Sequence, residues 1–125
     1  MGISLTTGPR EPSSAVDAYG IVTSPGAGQT IVTTPALPAG EYSVLVITHP
    51  TGTLASPADY DNVQLMVNAV VQGTVLQVTN AGQVTQNPPV TVRVPANGTI
   101  SVQAIAAGTV GGIYKIQIIA NLTGP

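Results

Sequence analysis

Cysteine, phenylalanine and tryptophan are all missing from this 125-residue chain, and charge is scarce, with three basic and five acidic residues making up 6% of it. Without cysteine there is no disulfide and no thiolate metal site, so stability must come from packing, strand pairing or subunit contacts. Without Phe or Trp the interior falls to Val, Ile, Leu and Ala with only four Tyr, in a chain that is 43% hydrophobic. Such β-branched stock suits pleated, half-buried surfaces and fits poorly in helices. The three basic residues, Arg10, Arg93 and Lys115, are scattered, and the formal net charge is -2. Phosphate binding needs a clustered positive footprint, so nucleic acid is not an expected partner. No apolar run approaches about 18 residues, which rules out a membrane-spanning helix and leaves no membrane partner expected. The first residues lack a basic start followed by an apolar core, so no secretion signal is expected. An average domain is about a quarter charged; here solvent-facing positions fall mostly to Thr, Ser, Gln and Asn.

Catalytic equipment is equally sparse. Nucleophilic catalysis needs a base beside the nucleophile, and the chain has one imidazole, His49, next to Pro50 at a strand end. Its plainer reading is a surface or interface side chain. No G-x-S-x-G elbow is present. The run Asp59-Tyr60-Asp61-Asn62 opens like a calcium loop, but an EF-hand would need Asp or Asn at 63 and Gly at 64, where Val63 and Gln64 stand. Asp59 and Asp61 remain candidate oxygens for a cation site of another kind, beside the reading of Asx residues that form a turn before a strand. Glu41, Asp59 and Asp61 could supply paired carboxylates for glycoside hydrolysis, yet aromatic platforms for sugar rings are few. Gly26, Gly28, Gly108, Gly111 and Gly112 form no phosphate-binding pattern and read as turn glycines. No cofactor is expected, and the chain is read as a non-enzyme.

What is present is a succession of short β-rich runs. Residues 1–18 show no sustained period, carry Pro9, Pro12 and the charges Arg10, Glu11 and Asp17, and read as an extended N-terminal arm. Residues 19–125 read as a single domain. Strands are expected over 19–23, 29–34, 41–49, 62–71, 74–79, 90–94, 100–105 and 113–119. The run 41–49 is apolar on both faces, Tyr42, Val44 and Val46 on one and Leu45 and Ile47 on the other. It should therefore be central and covered on both sides, a neighbouring subunit being one possible cover. Gln72-Gly73 is expected to close a tight hairpin. Val90, Val92 and Val94 should face inward, with Thr91 and Arg93 outward. Residues 99–121 are expected to form the last hairpin, with Tyr114, Ile116 and Ile118 inward and Lys115 and Gln117 opposite. About eight short strands, turn signals every 8 to 12 residues or so and no helix make this an all-β chain, an antiparallel β-sandwich or jelly roll.

Three stretches carry a resemblance: Ala39-Gly40-Glu41-Tyr42; Asp59-x-Asp61-Asn62-Val63-x-Leu65; and Val102-x-Ala104-Ile105-Ala106-Ala107-Gly108-Thr109-Val110-Gly111-Gly112-Ile113-Tyr114. Together they resemble the small β-sandwich head decoration, or cement, proteins of tailed bacteriophages, over about residues 19–121. The resemblance implies a structural virion protein on the capsid surface, a homo-oligomer that binds the major capsid protein and stabilises the assembled head. Arg10, Glu11, Asp17, His49 and Tyr60 are the candidate partner contacts. Two other readings stay open: a phage tail or fibre receptor-binding β-module, and a carbohydrate- or ligand-binding β-sandwich outside any virion.

Overall fold

The structure, a computed structural model, describes residues 15–49, 61–79, 83–85 and 88–125. Among these it contains nine strands and no helix: β1 (Ala15–Thr23), β2 (Thr30–Thr33), β3 (Gly40–His49), β4 (Asp61–Val67), β5 (Val70–Val78), β6 (Val84–Thr85), β7 (Val90–Val94), β8 (Ile100–Ala104) and β9 (Ile113–Gly124). They form two antiparallel sheets packed face to face. One has the order β1-β9-β3, with β6 and β7 both pairing the far side of β3; the other has the order β2-β8-β4-β5.

The pairing is nested: β1 with β9, β2 with β8, β3 with β7 and β4 with β5. The chain is therefore one long antiparallel hairpin whose tip is the β4–β5 turn, rolled so that alternate pairs fall in opposite sheets. That is a jelly roll, and it decides between the two architectures expected from the sequence. Period-two alternation sets what each strand turns inward. On β9, Tyr114, Ile116, Ile118 and Ala120 are buried while Lys115, Gln117 and Ile119 face out, and on β7, Val92 and Val94 are buried while Thr91 and Arg93 are exposed. Facing them from the other sheet are Val63, Leu65, Ile100, Val102 and Val78. Burying each such side chain contributes roughly 1.5–3 kcal/mol, which is how a core without Phe or Trp is assembled.

Several expectations need correction. The run 99–121 is not a hairpin. β8 pairs with β2 and β4, whereas β9 pairs with β1 and β3, so residues 105–112 cross from one sheet to the other. A nested roll requires this, because the β1–β2 link must cross beside it. The two links are tied together where Gly108 N donates to Pro25 O and Ser24 N to Gly112 O, both at 2.8 Å. Gly108 is needed there, since a Cβ would lie 2.7 Å from the Tyr114 hydroxyl oxygen and 3.0 Å from Pro25. The close approach at this link is thus made by the chain's own backbone.

The β4–β5 turn lies at Asn68-Ala69, with Val67 paired to Val70, and not at Gln72-Gly73. Gly73 has φ 78° within a bulge of β5, where the pairing shifts between Gln64/Val75 and Met66/Val71. β1 begins at Ala15, so residues 15–18 belong to the sheet and pair with Ile118 to Asn121. The rest of the expected arm, residues 1–14, lies outside the described residues. β9 runs on to Gly124, and β6 is a strand within a stretch expected to be loop.

Candidate functional site

The central position expected for β3 is observed, and it builds the chain's most distinctive surface. β3 is flanked by β9 on one side and by β6 and β7 on the other. Its inward residues Tyr42, Val44, Val46 and Thr48 are buried, while Ser43, Leu45, Ile47 and His49 are half-buried on the outer face. Strand register sets neighbours on that face in rows: Ile21, Lys115 and His49; Tyr19, Gln117 and Ile47; Asp17, Ile119 and Leu45; and, toward the other end, Glu41 opposite Arg93. The Tyr19 and Ile21 side chains are more than half exposed.

Within this surface a polar cluster spans three strands. Gln117 Nε2 donates to both carboxylate oxygens of Asp17, at 2.9 and 3.1 Å. A carboxylate only accepts, so the Gln117 amide nitrogen must face it and Oε1 is left as the acceptor. His49 Nε2, 3.2 Å from that Oε1, is therefore a donor. The His49 imidazole also meets the Tyr19 ring edge-on, with centroids 5.7 Å apart. Such an edge-to-face pair contributes about 0.5–1.5 kcal/mol beyond area burial. Asp17 and His49, named from the sequence, are thus brought together. Gln117 and Tyr19 are not among the contacts expected from the sequence, because their part depends on register between strands distant in sequence. Arg10, Glu11, Asp59 and Tyr60 lie outside the described residues.

Charge is segregated between the two outer faces. Asp17, Glu41, Arg93 and Lys115, half of the chain's charged residues, and its single His all lie on the outer face of the β1-β9-β3-β7 sheet. Among the described residues, the outer face of the other sheet carries Thr33, Ser101, Met66 and Val71 in one row and Thr30, Gln103, Gln64 and Val75 in the next, without a charge. Arg93 is held at the sheet edge, where its guanidinium donates to the Pro125 oxygen at 2.9 Å.

Asp61, the remaining described candidate, sits at one end of the sandwich. Its Oδ2 accepts from the Thr109 hydroxyl at 2.9 Å, and the buried Tyr114 hydroxyl is bonded to the same carboxylate. Burial and the Asp61 charge both push the Tyr114 pKa up. These contacts make Asp61 a pin for the β8–β9 crossing. Among the described residues, no three His, Cys, Asp or Glu side chains cluster as metal ligands, and no helix is long and apolar enough to cross a membrane.

No protein-family model matches the chain, and no curated protein matches it. Several solved structures do. The fold is similar to that of the EclA C-terminal domain, a sugar-binding protein (TM-score 0.55, 15% identity, covering 89% of this chain and 81% of that one). It is similar to a chain of the capsid of Ralstonia phage GP4 (TM-score 0.52, 14% identity, 96% and 92% covered). It is also similar to PRD1 vertex protein P5 (TM-score 0.51, 7% identity, 86% and 97% covered). At such identities the likeness is one of fold, and it places this chain among antiparallel jelly-roll β-sandwiches.

Proposed function

We propose that this chain is a structural protein of a phage virion, a decoration protein that binds the outside of an assembled head as a homo-oligomer, contacts the major capsid protein and stabilises the shell. The observation that carries this reading is the outer face of the β1-β9-β3-β7 sheet. It is a broad sheet surface with apolar side chains at its middle and charges around them, and its polar cluster is held by its own hydrogen bonds. Surfaces of this composition suit protein contact. The imidazole donates to an amide and so serves the hydrogen-bond network of this surface. The fold likeness to the capsid of Ralstonia phage GP4 is compatible with the proposal and identifies no partner.

Heads assembled without the protein provide the test. Adding the purified chain back should give saturable, stoichiometric binding and greater survival of heat and osmotic shock. Binding to host cells or glycans with none to heads would refute the proposal in favour of a receptor- or ligand-binding module. A second reading, a carbohydrate- or ligand-binding sandwich, is favoured by the Tyr19 ring, 52% exposed beside the fixed Asp17–Gln117–His49 cluster. That reading requires Tyr19→Ala to abolish glycan binding.

A further inference from the structure

We infer that the outer face of the β1-β9-β3-β7 sheet docks onto the same face of a second copy about a two-fold axis that runs across the strands through Leu45 and Ile119. The inference rests on the homo-oligomeric part of the proposed function and assigns the face that carries that reading to the contact between copies.

The register of β3 supplies the symmetry. Leu45 lies midway between Glu41 and His49, four residues from each, and all three face outward because the side-chain period of a strand is two. Ile119 is the cross-strand partner of Leu45, and Lys115 is the partner of His49. The face therefore has an apolar centre of Leu45, Ile119 and Ile47, a cationic Lys115 at one end and an anionic Glu41 at the other. A two-fold axis along the Leu45–Ile119 row exchanges the ends. It sets Lys115 and His49 of each copy over Glu41 of the other, and it stacks the two apolar centres. An isologous interface of this kind needs self-complementarity, each contact occurring twice, and Glu41 with Lys115 and His49 supplies it. Of the other charges, Arg93 is tied to Pro125 on the edge strand, whereas Asp17 lies in the Leu45–Ile119 row at the opposite edge and meets its own copy across the axis, one like-charge contact set against the two between Glu41 and Lys115. Two sheets packed face to face keep their strands within about 30° of one another, so the rows of the two copies can meet along their length.

The test is a charge exchange on the full chain, read by sedimentation equilibrium, with each variant's thermal melt confirming that it folds. Glu41→Lys and Lys115→Glu should each weaken self-association by about tenfold or more, because each creates like-charge contacts twice per dimer. The double variant E41K/K115E should restore most of the loss, and Leu45→Lys should leave a folded monomer. A wild-type chain that stays monomeric at high micromolar concentration overturns the inference. So does an association that both single exchanges leave unchanged, or one that the double variant fails to rescue. A monomer that still binds heads would remove this interface and leave the decoration reading standing.

Discussion

Ala69→Gly should stabilise the protein, although it removes a side-chain atom and loosens the unfolded chain. Asn68 and Ala69 form the two-residue tip of the rolled hairpin, with φ 48° and 65°. Both central residues are left-handed, as a type I′ turn demands. An L-residue in that region costs about 1–2 kcal/mol, whereas glycine occupies it freely. Ala69 is exposed, so its methyl group contributes little burial to set against this cost. Glycine's greater freedom in the unfolded state returns about 0.4–1 kcal/mol of the gain. The net expectation is roughly 0.5–1 kcal/mol of added stability, or a urea midpoint about 0.3–0.5 M higher at unchanged slope. Asn68 is the internal control. Its backbone N–H donates to Thr99 O at 3.1 Å and its Oδ1 accepts from Thr99 N at 3.0 Å. Asparagine tolerates the left-handed region better than alanine does, so Asn68→Gly relieves little strain and should lose about 1 kcal/mol through the missing side-chain bond. The tip also has the shortest loop of all the nested pairs. If it forms early, the Ala69→Gly gain should appear in the folding rate, with unfolding nearly unchanged. A loss of stability in Ala69→Gly would refute the reasoning, because the alanine would then be making contacts that outweigh its backbone strain.

Two further perturbations test the packing. Gly20 of β1 lies against β2 of the opposite sheet, and a Cβ there would run into the Ile31 carbonyl and come within 2.9 Å of Val32 Cβ; Gly20→Ala should cost about 1–3 kcal/mol by chemical denaturation, and an unchanged midpoint would mean that the sheets part easily at that seam. Tyr42 and Tyr114 should make the protein sensitive to alkali. Burial raises both pKa values above the ordinary 10.0, with Asp61 adding to the shift of Tyr114. The folded state then holds these protons where the unfolded state has released them, so the contribution is complete below about pH 10 and is lost as pH climbs toward the raised folded values. Ultraviolet titration should find both phenols ionising only together with unfolding, and early, reversible ionisation of all tyrosines would contradict this.

Much of the fold was legible because alternation reports which face of a strand is buried. The inward set of β9, the valines of β7 and the central place of β3 all follow from that signal. Pairing was not legible. A glycine-bearing link such as 105–112 can turn a strand back beside its predecessor or carry it to the opposite sheet, and strand period is blind to the choice. The tip was missed for a related reason, since glycine marked Gln72-Gly73 as the turn while the actual left-handed pair contains an alanine. Of the polar cluster, Asp17 and His49 stood out as scarce residue types, but Gln117 is one of many glutamines. Only the register of β1, β9 and β3 reveals that its amide joins them.

The outermost pair of the roll has a mechanical consequence. Ala15 lies opposite Asn121, so the described chain enters and leaves at the same end of the β1–β9 ladder. In an antiparallel pair the hydrogen bonds run perpendicular to the strands. Tension between Ala15 and Gly124 would act along those bonds and open them one after another, as a zip opens, instead of shearing the whole ladder at once. Force applied through these two ends meets little resistance, whereas load spread over the sheet faces is borne by the packed core.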